Sequence, residues 1–287
     1  MVDDLGESVV SVAVRPMSAG DAAELRDDVV AVEEPMEIRV MSGPDRRTKS
    51  VSVTMRTPGH DFELAVGFLY AEGLLRNERE IDAIAFCGPP PPGKAQSNIV
   101  RVELDPRVDL DLVKLQRNFY STSSCGICGK ASLDALDFEG YEAPPAGKPE
   151  VAASVIHGLP ARLRDAQGVF DRTGGLHAAG LFDAEGNLLV CREDVGRHNA
   201  VDKLVGAQVL AGAMPLFDRV LVVSGRVSFE ITQKALAAGV SCLVAVGAPS
   251  SLAVEMATRF GMTLVGFARD GRFNVYAGPE RIREEAC

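Results

Sequence analysis

From residue 176 onward, short apolar strands alternate with helical patterns, and few architectures accept such an alternation. Strand-like stretches over 176–183 and 187–193 flank the turn Ala184-Glu185-Gly186. A helix over 198–212, a strand over 219–224, a helix over 228–239, a strand over 242–248 and a helix over 250–261 follow. Strands over 263–269 and 273–278 close the series. The uninterrupted apolar runs 220–223 and 243–246 fit strands covered on both faces, so helices must pack around a sheet. The class is α/β.

The first half reads differently. A strand ends at the turn Thr57-Pro58-Gly59, with Val51, Val53 and Met55 facing one way along it. Residues 61–72 space Phe62, Val66 and Leu69 along one helical face, and Gly73 supplies the stop. The run Gly88-Pro89-Pro90-Pro91-Pro92-Gly93 excludes helix and central strand, because proline lacks the N–H and fixes φ. Strand patterning resumes over 98–104, and a second breaker-rich stretch over 141–149 follows a short helix expected after Cys128. The expected division is a flexible lead-in over 1–28, a smaller β-rich domain over 29–120, a cysteine-bearing loop, short helix and linker over 121–149, and a larger α/β domain over 150–287.

With 46% hydrophobic and 24% charged residues, the chain can bury a core, which removes disordered and collagenous readings. Residues 1–40 hold ten acidic and three basic side chains, so most of the formal charge of −10 sits there and the remainder is nearly neutral. That balance argues against nucleic-acid and anionic-membrane binding but leaves room for a local phosphate site. No apolar run approaches 18 residues and the start is acidic, so a cytoplasmic location without membrane anchor is expected. Six cysteines are too few for a disulfide scaffold, and in that setting they are expected as thiols.

One pair of them is close: Cys125-Gly126-Ile127-Cys128, followed by Gly129 and Lys130. Residues 131–138 can begin a helix, whose free N–H groups together with Lys130 favour thiolate. Three chemistries fit. A structural zinc site needs two more ligands, and Cys87, Cys191, Cys242 and the four histidines form no second close pair. A dithiol oxidoreductase motif belongs after the first strand of a compact βαβ unit, whereas this pair sits in mid-chain. The third chemistry is a cysteine carrying transferred sulfur as a persulfide. Spacing alone does not choose among them.

Three strand ends carry polar or small residues suited to a ligand. Cys191 to Lys203 includes Arg192, Glu193, Asp194, Arg197 and His198 at a strand-to-helix junction, readable as helix capping or as a pocket wall with His198 as an acid–base group. Ser224-Gly225-Arg226 before Ser228, and Gly247-Ala248-Pro249-Ser250-Ser251, repeat that geometry, either capping with Ser228, Ser250 or Ser251, or binding phosphate with Arg226 as a clamp. Finally, Phe267, Ala268, Arg269, Asp270, Gly271 and Arg272 join two strands; Asp270-Gly271 suits a hairpin, and the arginines between phenylalanines suit a diphosphate and a stacked base.

Taken together, 54–59, 125–130, 194–203, 224–230 and 247–251 resemble the formate dehydrogenase accessory sulfurtransferase (FdhD) family, from about Glu33 onward. The resemblance implies a cytidine deaminase-like larger domain built on a mixed sheet. It implies a sulfurtransferase that takes persulfide sulfur from a cysteine desulfurase onto Cys125, with Cys128 beside it. The sulfur would pass to the molybdenum cofactor, bis(molybdopterin guanine dinucleotide), of the formate dehydrogenase catalytic subunit. It further implies that 267–272 bind that client cofactor, that the protein is a homodimer, and that no metal is permanently held. Two other readings exist beside it. A zinc nucleobase deaminase needs proline before the cysteine pair, but Ser124 stands there and no His-x-Glu occurs. A chaperone would bind enzyme or cofactor without moving sulfur.

Overall fold

The computed structural model describes residues 8–18, 21–22, 24–108, 110, 143–269 and 271–284. Period-two burial shapes the first half. β1 (Val9–Val14) pairs antiparallel with β2 (Arg26–Ala31). β3 (Glu34–Ser42) and β4 (Arg47–Arg56) form a hairpin, α1 (Asp61–Ala71) follows, and β5 (Ile81–Phe86) and β6 (Ile99–Leu104) complete a four-stranded sheet of order β4-β3-β6-β5. Within it β3 and β6 run parallel and the other neighbours antiparallel. Its inner face buries Met36, Ile38, Val40, Val100, Val102 and Leu104 with Leu64, Ala65, Val66 and Leu69 of α1. The outer face carries the ion pairs Arg39–Glu37 and Arg101–Glu103.

Two expectations change here. Part of the expected lead-in is strand: β1 and the start of β2 pair with each other, and Ser8 Oγ donates to Pro58 O at 2.9 Å. Val51, Val53 and Met55 do not share a face. Val51 is in the core at 5% exposure, whereas Val53 and Met55 are 62% and 46% exposed. The cause is a register shift at Ile38/Arg39, opposite Ser52 and Ser50, which leaves Val51 as an extra residue and turns the rest of the strand over.

In the second half, α2 (Ala153–Asp165) and α3 (Gly168–Thr173) precede the hairpin of β7 (His177–Phe182) and β8 (Leu188–Asp194). Then come α4 (Arg197–Leu210), β9 (Val220–Val223), α5 (Phe229–Ala237), β10 (Cys242–Ala245), α6 (Ser251–Arg259), β11 (Thr263–Arg269) and β12 (Arg272–Ala277). They build a mixed six-stranded sheet of order β8-β7-β9-β10-β11-β12. β9, β10 and β11 are parallel, β7 is antiparallel to both its neighbours, and β12 to β11. Alternate residues serve opposite layers: Leu221, Val223, Leu243 and Ala245 face α4, α5 and α6, while Val220, Val222, Cys242 and Val244 face α2. Helices thus cover both faces, and the mixed α/β class expected from the sequence is observed.

The two halves share one core, because α1 crosses α4 at backbone contact. A Cβ on Gly67 would lie 1.8 Å from Asp202 O, and one on Gly206 would lie 1.8 Å from Glu63 O, so only glycine fits at either position. Arg192 of β8 reaches Glu63 of α1 with two hydrogen bonds, Nε to Oε2 at 2.5 Å and Nη2 to Oε1 at 2.8 Å. Burial would raise the Glu63 carboxyl, but Arg192 and His60 outweigh it and hold it at about 2. Farther along, Arg281 is 1% exposed and donates to the carbonyls of Pro145, Lys148 and Gly261 at 2.6, 2.7 and 2.7 Å. Beside it Ile282–Arg283 pair in parallel with Val151–Ala152.

Beneath these contacts lies a fully buried ion pair. Lys203 Nζ sits 2.7 Å from Asp194 Oδ2 and donates to Thr57 O at 2.8 Å. Asp194 also accepts from the N–H groups of Thr57 and Gly196 and from Asn199 Nδ2. Asn199 in turn donates to Met55 O at 2.7 Å. The turn after β4 is therefore stitched to the β8–α4 junction. Removing one partner strands the other charge without water, so Lys203→Met is expected to lower unfolding free energy by about 3–5 kcal/mol in denaturant titration. A loss below about 1 kcal/mol would contradict this role.

Candidate functional site

Strand direction gathers the site. β8, β9, β10 and β11 all end at one edge of the sheet, and β7, running the other way, begins there. His177 thus stands beside Asp194 and the turn after β9. Crevices outside the carboxyl ends of such strands are where open α/β sheets bind ligands.

Three turns at this edge are laced into one floor. Gly247 N–H donates to Gly225 O at 3.0 Å, Val227 N–H to Ala248 O at 3.1 Å, Ser250 N–H to Val227 O at 2.9 Å, and Phe267 N–H to Gly247 O at 3.0 Å. The approach is close: a Cβ on Gly247 would lie 2.8 Å from Gly225 O. Phe267 has φ 54, in the left-handed region that a bulky side chain enters only when its surroundings hold it, and pairing between β11 and β12 is irregular at that point.

Helix N-termini open onto the same edge. Gly196 before α4 and Ser228 before α5 make no side-chain cap, while Ser250 accepts from Ala253 N–H at 3.3 Å. Capping therefore accounts for Ser250, while among the described residues no side chain caps the start of α4, a favourable setting for an anion. Ser228 Oγ instead lies 3.3 Å from His198 Nε2, which is 2.9 Å from Glu230 Oε2. The hydrogen bond with His198 is the largest reason the Glu230 carboxyl lies below its usual range.

Around the floor, Arg197, Arg226, Arg269 and Arg272 have no ion-pair partner among the described residues, and the Nε of Arg197 is buried with no hydrogen bond there. Arg269 and Arg272 stand opposite each other in the β11–β12 hairpin, a like-charge pairing that costs stability unless an anion lies between. Arg269 also sits 5.9 Å from the Phe267 ring centroid. Burial, then Arg197 and His198 and Arg226, push His177 below its usual value, so its imidazole is neutral near pH 7.

The expected residues separate into three groups. Phe267, Ala268, Arg269, Gly271 and Arg272 lie at this edge, with Ala268 packed into the core at 1% exposure and both arginines exposed. Of the 191–203 stretch, Asp194, Asn199 and Lys203 are buried structural groups, and Arg197 and His198 alone face the site. Cys125, Cys128, Lys130, the helix expected after Cys128, and Asp270 lie outside the described residues. Among the described residues no cluster of His, Cys, Asp and Glu is arranged to hold a metal, and no described helix is long and apolar enough to cross a membrane. His177 was not among the sequence candidates, because only its antiparallel strand brings it to this edge.

Comparison with known proteins agrees with the motifs. The model of the FdhD/NarQ family matches residues 31–283. A protein named sulfur carrier protein FdhD from Streptomyces avermitilis is 52% identical over 272 residues, covering 93% of both chains. One of the same name from Mycobacterium tuberculosis is 48% identical over 282 residues, covering 97% of this chain and 100% of its own. The crystal structure of a protein described as a formate dehydrogenase accessory protein from Desulfotalea psychrophila superposes with a TM-score of 0.71 at 25% identity, over 96% of this chain and 99% of that one.

The described cysteines divide by environment. Burial pushes the Cys191 thiol, helped by Glu193, and the Cys242 thiol up to about 12 each. Neither supplies thiolate at neutral pH. In the native protein, alkylation of Cys191 and Cys242 at pH 7.5 is therefore expected to run at least about a hundredfold slower than after unfolding, by peptide mapping. Equal rates in the two states would refute that assignment.

Proposed function

The chain belongs to the FdhD/NarQ family, and from that premise we propose that it is a sulfur carrier acting as a sulfurtransferase toward the molybdenum cofactor of formate dehydrogenase. The Cys125 thiolate attacks the outer sulfur of a cysteine desulfurase persulfide; the desulfurase thiolate leaves, and Cys125 carries the sulfur as S–SH. If Cys128 then displaces it, hydrosulfide departs and the pair closes as a disulfide that a thiol reductant must reopen. The inert settings of Cys191 and Cys242 support assigning this chemistry elsewhere in the chain.

The client is bis(molybdopterin guanine dinucleotide), a substrate here, bound by 267–272 with Asp270 among them. The observation that carries the reading is the floor of three turns ringed by arginines that have no acidic partner among the described residues, since phosphates are bound by backbone N–H groups and guanidinium forks. A homodimer in the cytoplasm, where thiols stay reduced, completes the proposal, with the formate dehydrogenase catalytic subunit receiving the cofactor. The deaminase-like description of the larger domain belongs to the same reading, supported by a mixed sheet with helices on both faces.

Incubation with a desulfurase and cysteine is expected to add one sulfur, removable by dithiothreitol, to the intact mass of the wild type but not of Cys125→Ala. Undiminished uptake by Cys125→Ala would remove Cys125 as the carrier. Normal formate dehydrogenase activity in cells whose only copy is Cys125→Ala would favour a chaperone that moves no sulfur. On the cofactor side, Arg269→Ala and Arg272→Ala are each expected to weaken GDP binding about tenfold or more in calorimetric titration, the worth of one charge-assisted contact. Unchanged affinity in both would move the phosphates off this hairpin.

A further inference from the structure

The ribbon of β1 and β2 has two outer edges, and they are finished differently. β2 carries Arg26, Asp27 and Asp28, and Asp28 Oδ1 accepts from the N–H of Val29 at 2.9 Å. Charged side chains, and one that occupies an edge N–H, keep other strands from adding to β2. β2 also packs against α3. β1 has no such guard. Its sequence, Val9-Val10-Ser11-Val12-Ala13-Val14, holds no charge, no proline and no glycine, and four of its residues are valine. Val10 is 47% exposed, and Ser11 and Ala13 are exposed as well. An edge of this composition recruits another strand unless one already covers it.

The register shows which groups stand open. Val32 N–H donates to Ser8 O at 2.9 Å, and the pairing continues from there with Val10 opposite Val30 and Val12 opposite Asp28. Hydrogen-bonded pairs alternate along an antiparallel ladder, so these even-numbered residues bond to β2 and Val9, Ser11 and Ala13 turn their N–H and C=O groups outward. No described strand lies beside that edge, and none of the three residues has a hydrogen-bond partner there among the described residues.

The strand that fits such an edge is uncharged and β-branched, and β1 itself meets that description. Laid antiparallel against a second β1 about a two-fold axis at Ser11, the outward residues meet as Val9 with Ala13, Ser11 with Ser11 and Ala13 with Val9, closing about six hydrogen bonds. Between them Val10 faces Val12 of the second copy, at the non-hydrogen-bonded positions where side chains come closest and β-branched pairs stabilise a sheet. The acids of β2 remain on the outermost strands. Pairing through β2 would instead bring Asp27 and Asp28 of both copies onto adjacent strands, where like charges repel.

We propose that β1 is a self-complementary edge through which two copies of this chain join, giving a four-stranded sheet of order β2-β1-β1-β2. The inference rests on the reading above in that the protein is a homodimer, and it goes further in naming a surface of contact and the residues at its axis.

The test is sedimentation equilibrium on the full chain. Ser11→Pro removes the outward N–H at the axis and spares the bonds between β1 and β2, because proline is accepted on an edge strand where the N–H faces out. Val10→Lys sets two charges beside the axis at a position already open to solvent. Each is expected to raise the dimer dissociation constant about tenfold or more. An equimolar mixture of Val10→Lys and Val12→Asp places opposite charges across the axis and is expected to form a heterodimer tighter than either variant makes alone. Weakening in the single variants without recovery in the mixture would overturn the proposal, by tracing the loss to a damaged ribbon. A dimer that Ser11→Pro and Val10→Lys leave at wild-type affinity would overturn it too and leave the homodimer standing on another surface. A wild type that stays monomeric through the micromolar range would overturn both.

Discussion

Everything at the site edge depends on the Asp194–Lys203 pair. Two opposite charges at 0% and 1% side-chain exposure cannot be separated without leaving one of them dry, so the groups they bond are held as tightly as the pair itself. Those groups come from distant parts of the chain: the backbone of Thr57 after β4, the N–H of Gly196 and the amide of Asn199. The pair therefore fixes where α4 starts and, with it, where Arg197 and His198 point. A polar stitch of this kind specifies one arrangement of the halves, where apolar packing alone would tolerate several.

That division of labour explains why one sequence stretch serves two purposes. Between 191 and 203 the charged residues look alike on paper, yet burial sorts them into groups that hold the fold and groups that face solvent at the strand ends. Sequence position shows that such residues cluster at a strand-to-helix junction. It does not show which of them the neighbouring half of the protein will cover.

How far the sequence was legible follows the same line. The elements from 176 onward, the α1 helix and the turns at 224–226 and 247–251 were readable, because each is set by local periodicity or by small residues at a turn. Other features were not. The face swap at Val51 comes from a bulge that exists only once β3 and β4 pair. His177 gains its position from the reversed direction of β7, which periodicity does not encode. Gln167, at the N-cap of α3, looks like an ordinary loop residue until Glu193, on a strand that comes later in the chain, takes over its capping duty. Helix α2 was missed for a local reason: Pro160 lies inside it and reads as a breaker.

The Arg281 clamp has a consequence for how the molecule comes into being. Its guanidinium closes on the carbonyl of Pro145, 136 residues earlier, and on those of Lys148 and Gly261. During synthesis the ribosome delivers those carbonyls first and the arginine much later. The chain just after residue 143 must wait with open acceptors while most of the large sheet is still being translated. Final seating of that segment is thus a late event in the life of the nascent chain, set by translation time as well as by local stability.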